Sequence, residues 1–178
     1  MFSEPDMFPD LSAEMPAGEN LELDAEFGEL ERAALGRPET QYGETVTPAT
    51  PPNWVDTETI ALRLLERTRD LRIMVHLAVA RLHLAGAAAF ADMLAQIRLQ
   101  LENHWATVHP QLDPEEDNDP TLRSNVLYQL GDPARVQRIL RDRQLASSPR
   151  TGPVSWRDIE VFLNNTEPEA GRPKQAFR

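Results

Sequence analysis

The chain contains no cysteine, so it can form neither a disulfide framework nor a thiolate metal site, and it has no thiol nucleophile. That usage fits a reducing cytoplasm. Positive charge is also scarce: 18 Lys and Arg stand against 29 Asp and Glu, giving a formal charge of -11 and an isoelectric point near 4.8. Nucleic acid and anionic lipid surfaces both select for Lys and Arg clusters, so neither is expected as a partner. Long apolar runs are missing. No stretch approaches the roughly 18 uninterrupted apolar residues of a membrane span, and MFSEPDMFPDL at the N-terminus has no basic region followed by an apolar one. Direct membrane insertion and export are therefore not expected, and the chain reads as cytoplasmic. Catalytic signatures are absent as well: there is no GxSxG, no GxxxxGK[ST], no GxGxxG, no His-Asp dipeptide and no Glu-x-x-His. The expectation is a non-enzymatic protein without a cofactor. No internal repeat or sustained heptad appears.

What is present is helical periodicity in a body of globular composition, 40% hydrophobic and 26% charged. The fold expected is all-α: a single-domain bundle of six to seven helices with long loops and flexible termini. Residues 1–15, acidic and proline-bearing, read as a flexible lead-in from which Phe2, Phe8 and Leu11 could dock. Residues 16–164 read as the domain and 165–178 as a polar linker.

Leu23, Phe27, Leu30 and Ala34 follow helical spacing, with Asp24 as cap and Gly36 as stop. Arg37 to Pro52 carries four prolines and no period, so it should cross the surface as an extended connection. Asn53 to His109 then runs 57 residues without one of the chain's fifteen prolines. Asn53 and Asp70 are spaced to cap two helices, the first carrying Trp54, Ile60, Ala61, Leu64 and Leu65, the second facing inward through Leu71, Met74, Val75, Ala78 and Leu82. Gly86 marks the end of that second helix. A third helix comes next, with Phe90, Leu94, Ile97, Leu101 and Trp105 as its buried series. Later, Asp132-Pro133 reads as a helix start ahead of Val136, Ile139 and Leu140. Gln144 to Val154 is a loop or small hairpin, and Ser155 with Asp158 approximates a capping box for a helix carrying Trp156, Ile159, Phe162 and Leu163.

Between the third helix and the next lies a turn rich in acid and proline. Pro110 and Pro114 remove backbone donors, so the helix should end near His109. Asp119-Pro120 reads as cap and first helical residue, with Leu122, Val126, Leu127 and Leu130 as the buried face. The acidic run is expected to be solvated and to pair with Arg123. His104, His109, Asp113 and Asp117 invite a metal, but the two histidines are five apart and off a common helical face. As a calcium loop the turn lacks the glycine and the bidentate glutamate, which Asn118 and Ser124 replace. His76 and His83 share a face without a carboxylate nearby and read as packing or surface residues. Arg63, Arg67, Arg69 and Arg72 read as a solvated face. Trp54, Trp105 and Trp156 each fall on an apolar helical face, which favours core anchors over interface anchors.

The segment HWATVHPQLDPEEDNDPTLRSNVL, from His104 to Leu127, resembles the hallmark of the ImpA N-terminal domain of TssA-type proteins of bacterial type VI secretion. The pattern is W-x-x-x-H-P-x-L-D-P-x-x-D-x-D-P-x-x-R-x-N, and His109, Pro110, Asp113, Asp119, Pro120, Arg123 and Asn125 fall on it. AGENLELDAEFGELERAALGRPETQYGETVTPATPPNW resembles the family's opening, and RTRDLRIMVHLAVARLHLAG its central helix. The resemblance implies a docking or assembly domain acting on the contractile tail, with baseplate, sheath or tube proteins as partners. Family members carry a further C-terminal region that oligomerises, so oligomerisation is expected only through a region not present here. An alternative from another class is a metal-dependent all-helical hydrolase using His104, His109 and the acidic turn from Asp113 to Asp119.

Overall fold

The structure, a computed structural model, describes residues 6–43, 45–149 and 152–164. Phe2 and the expected 165–178 linker lie outside the described residues. The chain divides into two compact units, 1–131 and 132–178, in place of the one domain expected over 16–164.

In the first unit, local capping sets where helices begin. α1 (Ala25–Leu35) starts where the Asp24 carboxylate accepts the Glu26 amide, and it stops at Gly36, which takes φ 66°. Leu23, expected on its buried face, lies before the helix and is exposed. α2 (Trp54–Leu65) is capped by Asn53 and α3 (Leu71–Leu84) by Asp70. α4 (Ala87–Asn103) follows Gly86, whose amide closes α3 on Arg81 and Leu82. α5 (Thr121–Tyr128) comes after the acidic turn.

α3 is the axis of this unit, packing against α1, α2, α4 and α5. It buries not one face but almost its whole circumference, including Ile73, Leu77, Val79 and His76 beyond the residues expected. A helix apolar all round is one enclosed by its neighbours.

Two elements depart from an all-α reading. The 37–52 connection is not a plain extended crossing: β1 (Thr40–Tyr42) and β2 (Thr45–Thr47) form an antiparallel hairpin about Gly43, closed at its base by the backbone pair Arg37–Thr50. Gly36 makes that base possible, since a Cβ there would lie 2.3 Å from the Thr50 carbonyl oxygen.

The second unit begins with Asp132, whose carboxylate accepts the Ala134 and Arg135 amides of a π-helical turn, Pro133–Gln137, leading into α6 (Arg138–Asp142). The segment left open between loop and hairpin is a hairpin, β3 (Gln144–Ser148) with β4 (Gly152–Ser155). α7 (Trp156–Leu163) opens on a complete capping box between Ser155 and Asp158. Arg141 and Arg157 of this unit pair with Glu160 and Asp142.

The lead-in is anchored. Phe8 is buried, and Leu11 is half-buried. The Met7 amide donates to Gln96 Oε1 at 2.7 Å, Gln100 Nε2 donates to the Phe8 carbonyl at 2.8 Å, and His104 Nδ1 lies 3.1 Å from Asp10. Gln96, Gln100 and His104 recur every four residues, so they form one stripe along α4. That stripe rotates the helix relative to expectation: Phe90, Met93, Gln96, Ile97 and Gln100 are buried, Leu94 is exposed and Leu101 half-buried. Arg69, expected on a solvated face, is also buried, and it donates to the carbonyls of Phe8, Pro9, Leu65 and Thr68.

Candidate functional site: the clasped acidic turn

α4 ends at Asn103, and the Thr107 and Val108 amides return to the His104 carbonyl. His109 is then fixed from both sides of its backbone: its amide donates to the Arg69 carbonyl and its carbonyl accepts the Leu71 amide, each at 2.9 Å. Its ring is buried, with Nε2 donating to the Gly18 carbonyl at 3.2 Å. The His109–Pro110 bond is cis.

Arg123 organises the loop between α4 and α5. Only 1% exposed, it points from α5 into the loop and donates through Nε to Pro110 (2.8 Å), Nη1 to Trp105 (2.6 Å) and Nη2 to Val108 (2.7 Å), all at backbone carbonyls. Its guanidinium lies 4.5 Å over the Trp105 ring. Loop carbonyls have no helix or sheet partners, and one planar five-donor group satisfies three of them at once. Burial pushes the Arg123 pKa below its ordinary value. This corrects the expectation that Arg123 pairs with the acidic run: its partners are carbonyls.

The acidic run keeps its shape by local bonds. Asp113 accepts the Glu115 amide and caps a short 3-10 turn, Pro114–Glu116. Asp117 and Asn118 both take φ 54°, the left-handed region that Asp and Asn tolerate better than other side chains. Asp119 Oδ1 accepts from the Thr121 hydroxyl (2.6 Å) and amide (2.9 Å). Those two bonds, the hydroxyl one first, hold its carboxyl below the usual range. This shifts the expected start of α5 by one residue: Pro120 is the cap position and not the first helical residue, and Asp119 lies just before the cap while still accepting the Thr121 amide. Asn125 is exposed on α5.

The buried face of α5 is not the expected apolar one. Val126 and Arg123 are buried, Leu127 and Leu130 are half-buried, and Leu122 is exposed. The tryptophans also depart from expectation, since none of the three is a buried core anchor. Trp54 is half-buried and stacks on His83 at 4.1 Å, and Trp156 is 45% exposed with its indole N–H on Glu160. Trp105 is 44% exposed, lying outside the helix as the outer face of Arg123. Sequence reasoning placed Arg123 in the turn with the wrong partners and Arg69 on a solvated face, and it missed Gln96 and Gln100. For the two glutamines a signal existed, namely their four-residue spacing with His104 inside an otherwise apolar helix.

His104 and His109 are engaged separately, with Asp10 and the Gly18 carbonyl. Among the described residues no three His, Asp or Glu side chains gather as a metal site would require. Also among the described residues, no helix is long and apolar enough to cross a membrane.

The arrangement is therefore a mostly helical scaffold that carries a hydrogen-bonded acidic turn and the Trp105 ring at its surface. Residues 9–132 match the family described as ImpA, N-terminal, type VI secretion system, and the chain belongs to that family. The match ends beside the boundary between the two units. The chain is 39% identical over 157 residues to the type VI secretion system component TssA1 of Pseudomonas aeruginosa, covering 88% of this chain and 45% of that protein. It thus spans under half the length of that relative. In fold it is similar to the N-terminal domain, including the conserved ImpA_N region, of the TssA component of the type VI secretion system from Burkholderia cenocepacia. The TM-score is 0.67 at 24% identity, over 90% of this chain and 57% of that one.

Proposed function

We propose that this chain is a non-enzymatic docking domain that helps a TssA-like component assemble the contractile tail of a type VI secretion system in the cytoplasm, with baseplate, sheath or tube proteins as partners. The observation that carries the reading is the Arg123 clasp. A buried guanidinium that satisfies three loop carbonyls fixes the turn, and the fixed turn presents Trp105, Leu122 and five carboxylates between Asp113 and Asp119 outward. A surface held in one conformation loses little entropy when a partner covers it. Family membership supports the pathway, and the acidity of the surface favours a partner face bearing basic residues.

The alternative of a metal-dependent hydrolase finds no support in the placement of His104 and His109. The test is to delete residues 9–132 from the protein in its host and score secretion of the tube protein, together with capture of baseplate, sheath and tube subunits by the purified chain. Blocked secretion with capture of at least one tail subunit is the expected result. Normal secretion without the segment would overturn the reading.

A further inference from the structure

Residues 1–131 contain nine arginines and no lysine among twenty-three Asp and Glu. Seven of the nine are engaged. Arg63, Arg67, Arg72, Arg81 and Arg98 pair with carboxylates, and Arg69 and Arg123 serve carbonyls. The other two, Arg32 and Arg37, have no side-chain hydrogen bond or ion pair among the described residues, and both line the same cavity, of about 290 Å³. In a unit so rich in acid, these two arginines without an acidic partner border one concavity.

The cavity is built by backbone. The Arg37–Thr50 pair at the hairpin base forms one wall, the close approach of Gly36 to Thr50 brings that wall against the end of α1, and Asn53 at the start of α2 forms another. The Arg32 guanidinium lies back along α1 beside Gly28, where a Cβ would come within 3.3 Å of Nη1, so glycine leaves it room to swing.

We propose that this cavity is a carboxylate site, in which Arg32 and Arg37 clamp an acidic side chain or the terminal carboxylate of a partner protein. A planar guanidinium matches a carboxylate in a two-bond fork, and a site of this volume suits one residue rather than a nucleotide or a folded ligand. The inference rests on the docking reading and adds a second contact of opposite charge preference, away from the acidic turn in sequence. A partner that meets both would need a basic face and an acidic tip, which sharpens selection against partners carrying only one.

The test is a titration of the isotope-labelled chain, followed by amide NMR. The probes are N-acetylglutamate α-amide, which has only a side-chain carboxylate, N-acetylalanine, which has only a terminal one, and N-acetylalanine amide, which has neither. Saturable shifts centred on the Gly36, Arg37, Thr50 and Asn53 amides are expected with one or both carboxylates and none with the amide. In R32Q/R37Q, with an unchanged melting temperature, affinity should fall by about tenfold or more. Should the double variant melt earlier, the single variants R32Q and R37Q each carry the same expectation of weakened binding. No saturable response to either carboxylate, or an equal response in the variants, overturns the site. If the titration fails while deletion of 9–132 still blocks secretion, the docking reading stands and only this site is lost.

Discussion

α3 and the turn from His104 to Arg123 lie against the same core and are held by opposite means. α3 is enclosed by four helices and gains its stability from apolar burial, since Leu71, Ile73, Met74, Leu77 and Leu82 have no measurable exposure. The turn buries little that is apolar beyond Val108. It is held by directional bonds from three polar residues: Arg123 on three carbonyls, His109 on Gly18, and Asp119 on Thr121. Hydrophobic burial is non-directional and forgiving of repacking, whereas a hydrogen-bonded loop has few substitutes for each donor. The core element should therefore tolerate a change of shape, and the surface element a change of solvent contact but not of donor geometry.

That contrast can be broken by substitution. Leu77→Ala should cost about 2–5 kcal/mol in chemical denaturation, and Leu77→Met under about 1.5 kcal/mol, because volume is nearly kept. Arg123→Met should cost about 3 kcal/mol although it keeps apolar bulk, since three carbonyls lose their donor, and Arg123→Lys should recover only part of the loss because an ammonium lacks the fork. If Arg123→Met were as mild as Leu77→Met, the turn would be held by packing after all.

Trp105→Ala is a smaller and sharper probe. A buried tryptophan at that position would cost about 3–5 kcal/mol, but a ring that covers one face of a guanidinium while the rest meets solvent should cost about 1–2 kcal/mol. A loss at the upper figure would mean that the ring is part of the core.

The smallest effect concerns Asp119. Asp119→Ala should lower the melting temperature slightly, since the Thr121 amide and hydroxyl lose their acceptor, and Asp119→Asn, which keeps an accepting oxygen, should lower it less. The Asp119 carboxyl is held below its ordinary range, so its contribution is complete above the unfolded-state value and is lost as pH falls through the folded-state one. Asp24 behaves alike, lowered first by the Glu26 amide and then by Arg67. The melting temperature of Asp119→Asn should accordingly fall less than the parent's on acidification below the ordinary carboxylate range. Parallel acid limbs for the two proteins would remove Asp119 from that role.

The sequence was most readable where local chemistry decides the outcome. Asp24, Asn53, Asp70 and the Ser155–Asp158 box start helices because each side chain reaches an amide two or three residues on, a relation visible in the letters. The acidic turn was legible as a turn, though the role of Arg123 was not, because its acceptors are backbone carbonyls 13 to 18 residues away that no side chain advertises. The face of α4 was misread for a similar reason. Gln96 and Gln100 are buried because a segment some ninety residues earlier lies on them, and periodicity along one helix carries no record of what covers it. The first hairpin escaped notice because its strands are three residues long and wholly exposed in β1, leaving no alternation to detect.

The covering segment itself has one more implication. Gln96, Gln100 and Arg69 recognise residues 7 to 9 almost entirely through main-chain amide and carbonyl groups, and Phe8 is the one side chain there that is buried. Main-chain groups are the same for nearly every amino acid. Over evolutionary time this stretch is therefore free to drift in composition at Met7, Pro9 and their exposed neighbours while its path across α4 is inherited unchanged, so that relatives would share the track long after they had ceased to share the letters.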